Sequence, residues 1–185
     1  MKKRLYLIAG PNGSGKTTLA HELLRDEEGL AFLNADETAA KIGDSVGLAA
    51  GRIILKEIDS MLASGKSFVL ESTISGNYHK RVLTEAKNKG YEVTLFFVFL
   101  DSSDLNLNRI KRRVALGGHN VPDEDVIRRF DKSIKNFWDI VDIVDSWKLY
   151  YNSGDYFELI AEGDGGKNYI YDDDRYKQFK GGLKQ

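Results

Sequence analysis

The sequence contains no cysteine, which excludes disulfide bonds and thiolate metal sites. It also lacks an excess of either charge, because 27 lysine and arginine residues face 28 acidic ones and the net charge is −1. A chain without a general basic field is not a default binder of duplex nucleic acid. No apolar run approaches the roughly 18 residues of a membrane-spanning helix, and the run Leu5 to Ala9 is too short for a signal peptide. These absences predict a soluble, cytoplasmic protein.

The composition is that of an ordinary globular protein, with 185 residues, 42% hydrophobic and 30% charged. Apolar runs alternate with amphipathic segments, which is typical of an α/β fold. The predicted strands are residues 4–9, 30–33, 67–70, 93–100 and 157–161. Six helices are predicted. The first begins at Lys16, the second covers 51–63 and the third covers 78–89. The fourth runs from a cap at Asp101 or Ser103 to Leu116, the fifth follows Pro122, and a short sixth lies near 174–179. We expect one domain over residues 1–185, with a mostly parallel sheet of about five strands flanked by helices and a weakly patterned tail at 163–185.

Two of these helices have a predicted core face. In the first helix it is Leu19, Leu23 and Leu24, and in the helix after Pro122 it is Ile127, Phe130, Ile134 and Phe137. Four further aromatic residues are expected in the core or covering the sheet rather than stacking on bases, namely Trp138, Trp147, Tyr150 and Tyr151.

A glycine-rich motif follows the first predicted strand: Gly10-Pro11-Asn12-Gly13-Ser14-Gly15-Lys16-Thr17. It matches G-x-x-x-x-G-K-[ST] in full and lies between a strand and a helix, which is the context of a phosphate-binding P-loop. Glycines let the backbone wrap around a phosphate, and the helix N-terminus adds its positive end. We expect Lys16 to reach the β- and γ-phosphates of ATP, Thr17 to ligate Mg²⁺, and Thr18 to contribute to the nucleotide site. The motif predicts a P-loop NTPase-type fold; a glycine turn without nucleotide is the weaker alternative.

Acidic and hydroxyl side chains follow the next two strands, in Asn34-Ala35-Asp36-Glu37 and Glu71-Ser72-Thr73. Because the carboxyl ends of parallel strands meet at one edge, Asp36, Glu71 and Thr73 are expected near the P-loop. A kinase needs a base beside the acceptor hydroxyl and acids that organise Mg²⁺. Asp36 is the candidate base, and Glu71 is a candidate to hold Mg²⁺ through water or to contact the acceptor. The alternatives are a helix cap for Asp36 and an ordinary strand end for Thr73.

Several classes of nucleotide-binding protein are disfavoured. The chain has no Asn-Lys-x-Asp motif, which a Ras-like GTPase would carry, and it has no ABC transporter signature. It also has no plain hydrophobic run that ends in Asp-Glu, where an ATPase would place its second acidic motif.

Basic residues are concentrated in residues 109–135, which hold eight lysine and arginine residues and four acidic ones. Arg109, Lys111, Arg112 and Arg113 precede Gly117-Gly118, and Arg128 and Arg129 follow it. A glycine pair between two helices permits a hinge, so this segment is predicted to be a helical lid that closes over ATP. Two solvated helix faces are the alternative. His119 is expected to be a loop or cap residue, and the three histidines have no metal-ligand spacing, so we expect no structural zinc.

Four motifs, taken in order, resemble the zeta-toxin family over residues 4–160. The first is the P-loop, and the last is Arg113-Val114-Ala115-Leu116-Gly117-Gly118-His119-Asn120-Val121-Pro122. The other two are the strand ends at 34–37 and 71–73. The resemblance implies a P-loop kinase that uses ATP and Mg²⁺. The family's studied toxins phosphorylate UDP-N-acetylglucosamine at its sugar 3′-hydroxyl.

The resemblance also implies roles for individual residues. Asp36 matches the family's catalytic base, Lys16 its phosphate lysine, and Glu71 its acidic strand-end position. Arg113 and Arg129 are similar to the two lid arginines that clamp the phosphates. The family allows for an antitoxin protein as partner, although no motif here indicates one.

The first hypothesis is therefore an ATP-dependent kinase for a small-molecule hydroxyl such as that of a UDP-sugar. The second is a polynucleotide 5′-hydroxyl kinase that uses the local basic segment. The third is a nucleotide-sensing binding module with little turnover, which the presence of Asp36 and both lid arginines disfavours. By analogy with similar kinases, Asn152 and Ser153 are expected on the adenine side of the site.

Overall fold

The computed structural model describes residues 2–25, 29–43, 48–118 and 120–183. The strands are β1 (Lys3–Ala9), β2 (Ala31–Asn34), β3 (Phe68–Ser72), β4 (Tyr91–Phe99), β5 (Ser146–Tyr151), β6 (Glu158–Asp164) and β7 (Lys167–Ile170). The helices are α1 (Lys16–Leu23), α2 (Ala35–Ile42), α3 (Leu48–Ser64), α4 (Tyr78–Asn88), α5 (Ser103–Ala115), α6 (Asp123–Ile140) and α7 (Asp173–Gly181). None of the helices in the described ranges combines the length and apolar character that a membrane crossing requires.

One sheet runs through the molecule in the order β2-β3-β1-β4-β5-β6-β7. The strands from β2 to β5 are parallel, and β6 and β7 are antiparallel to their neighbours. The predicted α/β fold with a mostly parallel sheet is therefore confirmed. Since β1 lies between β3 and β4, the loop that follows β1 opens at the middle of the sheet.

The sheet has two strands that were not predicted, β5 and β7. Trp147, Tyr150 and Tyr151 lie within β5 and are buried, which confirms that they belong to the core. The strand predicted at 157–161 is present as β6, but it is not the last strand as expected, because β7 follows it in a hairpin. All four residues of β7 are exposed, so no apolar run marks it. Its sequence signal is Gly165-Gly166, whose φ angles of 54° and 83° suit a two-residue hairpin turn.

Alternate residues of β1 face two different clusters, as the period of a strand requires. Leu5 and Leu7 belong to the larger cluster, which α3, α4, α6 and α7 cover. Ile8 belongs to the smaller cluster, in which α1 contributes Leu19 and Ala20. The sheet is thus buried on both faces, which accounts for the nearly continuous apolar sequence of β4.

Two predicted core positions and one predicted cap are wrong. Leu23 is 37% exposed, and Leu24 packs on the smaller cluster instead, because α1 ends at Leu23 and the backbone changes direction there. Ile127 is 39% exposed, since Val126 faces the small cluster formed with Ile110 and Val121. Ser102, rather than Asp101 or Ser103, caps α5 by accepting a hydrogen bond from the backbone N–H of Leu105.

The tail packs onto the sheet through α7. Phe179 is fully buried, and its ring centroid lies 4.8 Å from that of Phe99, 5.5 Å from that of Phe97 and 5.3 Å from that of Phe137. These contacts join α7 to β4 and α6, so the tail beyond residue 163 contributes to the main core.

Replacing Phe179 with alanine is expected to lower the free energy of unfolding by about 3–5 kcal/mol, because a fully buried aromatic side chain leaves a cavity. Urea denaturation followed by circular dichroism measures the change. Tyr169→Ala is the matched control, because Tyr169 is in the same tail and 51% exposed, and its effect is expected within about 0.5 kcal/mol of zero. Equal effects of the two substitutions would contradict the placement of α7 in the core.

Candidate active site

Two adjoining clefts open at the carboxyl ends of β1, β2 and β3, with volumes of about 430 Å³ and 710 Å³. Lys16, Asp36 and Glu71 line both of them. The first cleft has the loop 10–15 as one wall, and the second extends between α3 and the start of α6. The gathering of strand-end residues around the loop is the arrangement expected for a parallel sheet.

The loop between β1 and α1 can have its shape only with glycine at three positions. Gly10, Gly13 and Gly15 have φ angles of 142°, 76° and 100°. A Cβ atom on Gly10 would lie 2.1 Å from the Val98 carbonyl oxygen, so β4 leaves no room for a side chain there. The glycines therefore allow the backbone of the loop to press against the sheet.

Side chains from outside the loop bind three of its carbonyl oxygens. Lys16 donates to Pro11 O at 2.9 Å, Asn106 of α5 donates to Asn12 O, and Asn152 donates to Ser14 O at 2.8 Å. In a trans peptide the next N–H points away from the carbonyl. The N–H groups of Gly13 and Gly15 are thereby turned away from the Asn106 and Asn152 amides, which suits them to an anion on the opposite side of the loop.

Lys16 and Glu71 form the charged centre of the two clefts. Burial lowers the pKa of Lys16, and the negative charges of Glu71 and Asp36 oppose that effect. Burial raises the pKa of Glu71, opposed by Lys16 and by the Thr17 hydroxyl, which donates to Glu71 Oε2 at 2.8 Å. An anion bound beside Lys16 would favour its charged form, so the site is suited to phosphate.

Asp36 is held at the start of α2 by a cap that another residue supplies. Asn34 is the N-cap, and its Oδ1 accepts from the backbone N–H groups of Asp36 at 2.8 Å and Glu37 at 3.2 Å. The Asp36 carboxylate is thus not used for capping, and Asp36 lines both clefts. The alternative role predicted for Asp36, that of a helix cap, is wrong.

The two arginines proposed for the lid line different clefts. Arg113 of α5 lines the first cleft, and Arg129 of α6 lines the second. Arg129 is 28% exposed and pairs with Asp125 at 3.4 Å. The positive charges of both arginines lower the pKa of Lys16, so they act on the same centre from two sides. Arg109 instead donates to Asn152 O at 2.6 Å.

The turn after β3 is strained and is fastened to α6. Ile74 has a φ angle of 47°, which is unfavourable for a β-branched residue, and its side chain is fully buried. Ser133 donates to Thr73 O, and Asn136 donates to Ile74 O at 2.6 Å. These two bonds fix the position of Thr73 relative to the helix that carries Arg129. Ser133 and Asn136 were both missed from sequence; the signal for Ser133 is a polar residue at a buried position of α6.

The chemistry of the donors fits ATP and Mg²⁺. Asn12 lines the first cleft and is 1% exposed, and its side-chain polar atoms have no hydrogen-bond partner among the described residues. Thr17 and Glu71 offer two neighbouring oxygen ligands, which suits a cation that usually binds one or two protein groups and substrate phosphates. In the described ranges, no three histidine or acidic side chains form a cluster that could hold a metal alone.

The zeta toxin family profile matches residues 1–163. The chain belongs to the zeta toxin family. The resemblance drawn from the four motifs is confirmed. An uncharacterized protein of Haemophilus influenzae is 29% identical over 134 residues, which cover 70% of this chain and 94% of that protein.

Solved structures show the same fold. In the AvrRxo1-ORF1:-ORF2 structure with ATP, the matched chain has a TM-score of 0.77 and 18% identity, and the match covers 96% of this chain. This zeta toxin family member spans only 63% of that chain. The PezAT toxin–antitoxin system of Streptococcus pneumoniae matches with a TM-score of 0.59 and 20% identity, over 84% of this chain and 72% of that one.

Five residues singled out from the sequence remain to be placed in this family member. Four of them lie near the P-loop or line a cleft, and the fifth falls outside the described residues. Asn152 is buried against the loop, and the Ser153 hydroxyl accepts from the backbone N–H of Asp101 at 2.9 Å. Thr18 lines the first cleft and Thr73 the second. His119 lies outside the described residues.

Gly10→Ala is expected to lower the free energy of unfolding of this zeta toxin family member by more than about 1 kcal/mol, because its Cβ would collide with the Val98 carbonyl and its φ is positive. Gly51→Ala is the control, since Gly51 lies in α3 and a Cβ there meets no atom within 4 Å. The control is expected to raise stability by about 0.5–1 kcal/mol. Urea denaturation measures both, and an unchanged midpoint for Gly10→Ala would contradict the packing described for the loop.

His79 is expected to make this family member less stable in acid. Burial lowers its folded-state pKa from 6.5 to about 4, so the unfolded chain takes up a proton first as the pH falls. The contribution of His79 is fully present above pH 6.5 and decreases between pH 6.5 and 4. By linkage this amounts to about 2 kcal/mol between pH 7.5 and 5.

Urea denaturation at the two pH values measures the difference for the wild type and for His79→Gln. The variant is expected to lose about 2 kcal/mol of the pH dependence. His21→Gln is the control, because His21 is an exposed residue of α1, and it is expected to keep that dependence. Equal pH dependence in wild type and His79→Gln would show that His79 does not titrate as described.

Proposed function

We propose that this protein is an ATP-dependent kinase that transfers the γ-phosphoryl group of ATP to a hydroxyl of a small molecule. The observation that carries the proposal is that Lys16, Asp36 and Glu71 line both clefts. A phosphoryl donor in the P-loop cleft and an acceptor in the other cleft would meet at these three groups. We also propose that the whole chain forms one kinase domain and that the protein acts in the cytoplasm, where ATP is available.

Asp36 is the proposed general base. Its carboxylate takes the proton of the acceptor hydroxyl as the oxygen forms a bond to the γ-phosphorus. The bond from the γ-phosphorus to the bridging oxygen breaks, and ADP leaves with the electron pair of that bond. Lys16 balances negative charge on the phosphates, aided by the Gly13 and Gly15 N–H groups, which point away from the Asn106 and Asn152 amides.

Thr17 and Glu71 are the proposed holders of Mg²⁺, directly or through water. Their oxygen atoms are 2.8 Å apart and lie beside Lys16 at the start of α1. When bound, Mg²⁺ supplies positive charge beside the phosphate oxygens. Glu71 is buried, so its carboxylate has a fixed position relative to β3.

Arg113 and Arg129 are the proposed phosphate clamp. Arg113 approaches from the P-loop cleft and Arg129 from the acceptor cleft, on opposite sides of Lys16. Two guanidinium groups in these positions would stabilise charge that spreads over the equatorial oxygens during transfer. The bonds of α6 to the turn after β3 fix the helix that carries Arg129.

UDP-sugars are the acceptor class we propose to test first. The acceptor cleft has apolar side chains of α3 on one wall, Leu48, Ile54 and Leu55, and it has Arg128 and Arg129 on another. A molecule with a flat base, two phosphates and a sugar hydroxyl matches these two walls. The volume of about 710 Å³ lies in the range of small-molecule sites.

Asp36→Asn is expected to lower phosphoryl transfer by about 10²–10⁴-fold, because the amide cannot take the proton, while ATP binding persists. Mass spectrometry would detect a single added phosphate on a panel of UDP-sugars, nucleosides, simple sugars and 5′-hydroxyl oligonucleotides incubated with ATP and Mg²⁺. Asp142→Asn is the matched control, because Asp142 is exposed and lines neither cleft, and it is expected to leave transfer unchanged.

The panel also distinguishes the competing activities. Labelled oligonucleotide ends would replace the small-molecule proposal with a polynucleotide kinase. Tight ATP binding with neither a phosphorylated product nor ADP release would leave a nucleotide-sensing module. Transfer that survives in Asp36→Asn would remove Asp36 from the role of base.

A further inference from the structure

The loop 152–157, between β5 and β6, lies directly on the P-loop. The Asn152 side chain donates to Ser14 O at 2.8 Å. A Cβ atom on Gly15 would lie 2.6 Å from Asn152 Nδ2 and 3.3 Å from Phe157 Cζ, so both side chains pack against that glycine. We refer to residues 152–157 as the buttress loop. Its first and last residues contact the part of the P-loop from which α1 begins.

One side chain of the tail holds both ends of the buttress loop. The guanidinium of Arg175, in α7, lies over the Tyr151 ring at 3.9 Å from its centroid. The same guanidinium forms an ion pair with Glu158. Tyr151 immediately precedes the loop and Glu158 immediately follows it, and the two residues are paired across β5 and β6. Arg175 therefore adds a side-chain bridge to the backbone pairing that closes the base of the loop.

The surroundings fix Arg175 itself. Asp172 caps α7 by accepting from the backbone N–H of Arg175 at 2.9 Å, and its carboxylate lies 3.8 Å from the Arg175 guanidinium. Phe179, one turn further along α7, is fully buried in the core. On the far side of the contact, the Tyr151 hydroxyl donates to Asp101 Oδ2 at 2.7 Å. The cation and the ring are therefore both held by independent contacts.

We propose that Arg175 is a positioning residue for nucleotide binding, acting through Tyr151, Glu158 and Asn152 on the P-loop. The Asn152 backbone is held by Phe99 O and by Arg109, and Arg175 adds to this hold by bridging Tyr151 and Glu158, so that the Asn152 amide stays on Ser14 O. That hydrogen bond sets the plane of the Ser14–Gly15 peptide and thereby the direction of the Gly15 N–H. The inference rests on the proposed function, because it takes ATP to be the ligand of the P-loop.

This role assigns a function to a segment that the family profile does not reach. The profile matches residues 1–163, whereas Arg175 and the rest of α7 follow β7. The tail thus contributes to the core through Phe179 and to the nucleotide site through Arg175, two different side chains of one helix. The two contributions can be separated by substitution.

The experiment is calorimetric titration of the full chain with Mg²⁺ and ATP. Arg175→Ala is expected to raise the Kd for ATP by about tenfold, because part of the binding energy is then used to place the Asn152 amide and the Gly15 N–H. Glu158→Gln breaks the ion pair from the other side without altering α7 and is expected to raise the Kd in the same direction. Lys177→Ala is the matched control, since Lys177 lies on α7, is exposed and pairs with Asp173 at 3.9 Å.

A double-substitution cycle separates positioning from a general structural effect. If Arg175 acts through Asn152, then adding Arg175→Ala to Asn152→Ala changes the Kd little further. If the double substitution instead raises the Kd by the product of the two single effects, Arg175 does not act through Asn152. A wild-type Kd in both Arg175→Ala and Glu158→Gln would also overturn the proposal. Urea denaturation of each variant identifies any that is not folded during the titration. Wild-type protein that binds no ATP would overturn the proposed function, and the inference with it.

Discussion

A loop that binds phosphate through its backbone N–H groups must have its carbonyl groups satisfied on the other side. In this protein three P-loop carbonyls are bound by Lys16, Asn106 and Asn152. The three side chains come from the start of α1, from α5 and from the segment after β5. Neither the strand nor the helix beside the loop could supply them all, so the shape of the site depends on elements that are distant in sequence. The central position of β1 brings those elements together.

The same dependence explains which parts of the site can be predicted from sequence. The P-loop could be predicted because its glycines, Lys16 and Thr17 are contiguous and lie between a strand and a helix. Asp36 and Glu71 could be predicted because parallel strands bring their carboxyl ends to one edge. The link between Asn106 and Asn12 spans 94 positions and that between Asn152 and Ser14 spans 138, and no local pattern encodes either.

The errors in the predicted fold also have physical reasons. Asn34 and Asp36 are both good capping residues, and only the backbone geometry shows that α2 begins at Ala35 and is capped by Asn34. Strand β5 reads as an aromatic cluster because three of its six residues are Trp147, Tyr150 and Tyr151. Strand β7 has no buried face, so only the glycine pair before it could reveal it. Apolar sequence patterns predict the strands that form the core, but they miss an exposed strand such as β7 at the edge of the sheet.

The contact between α7 and the buttress loop has a consequence for how the chain matures. The P-loop lies near the start of the sequence, and Arg175 leaves the ribosome only after every strand of the sheet has emerged. If the P-loop reaches its full affinity only when Arg175 is in place, a nascent chain binds nucleotide more weakly until α7 has folded onto the buttress loop. For a family that contains toxins, this would delay activity until the polypeptide is folded. The delay would be built into the order of the sequence, without the need for a second protein to impose it.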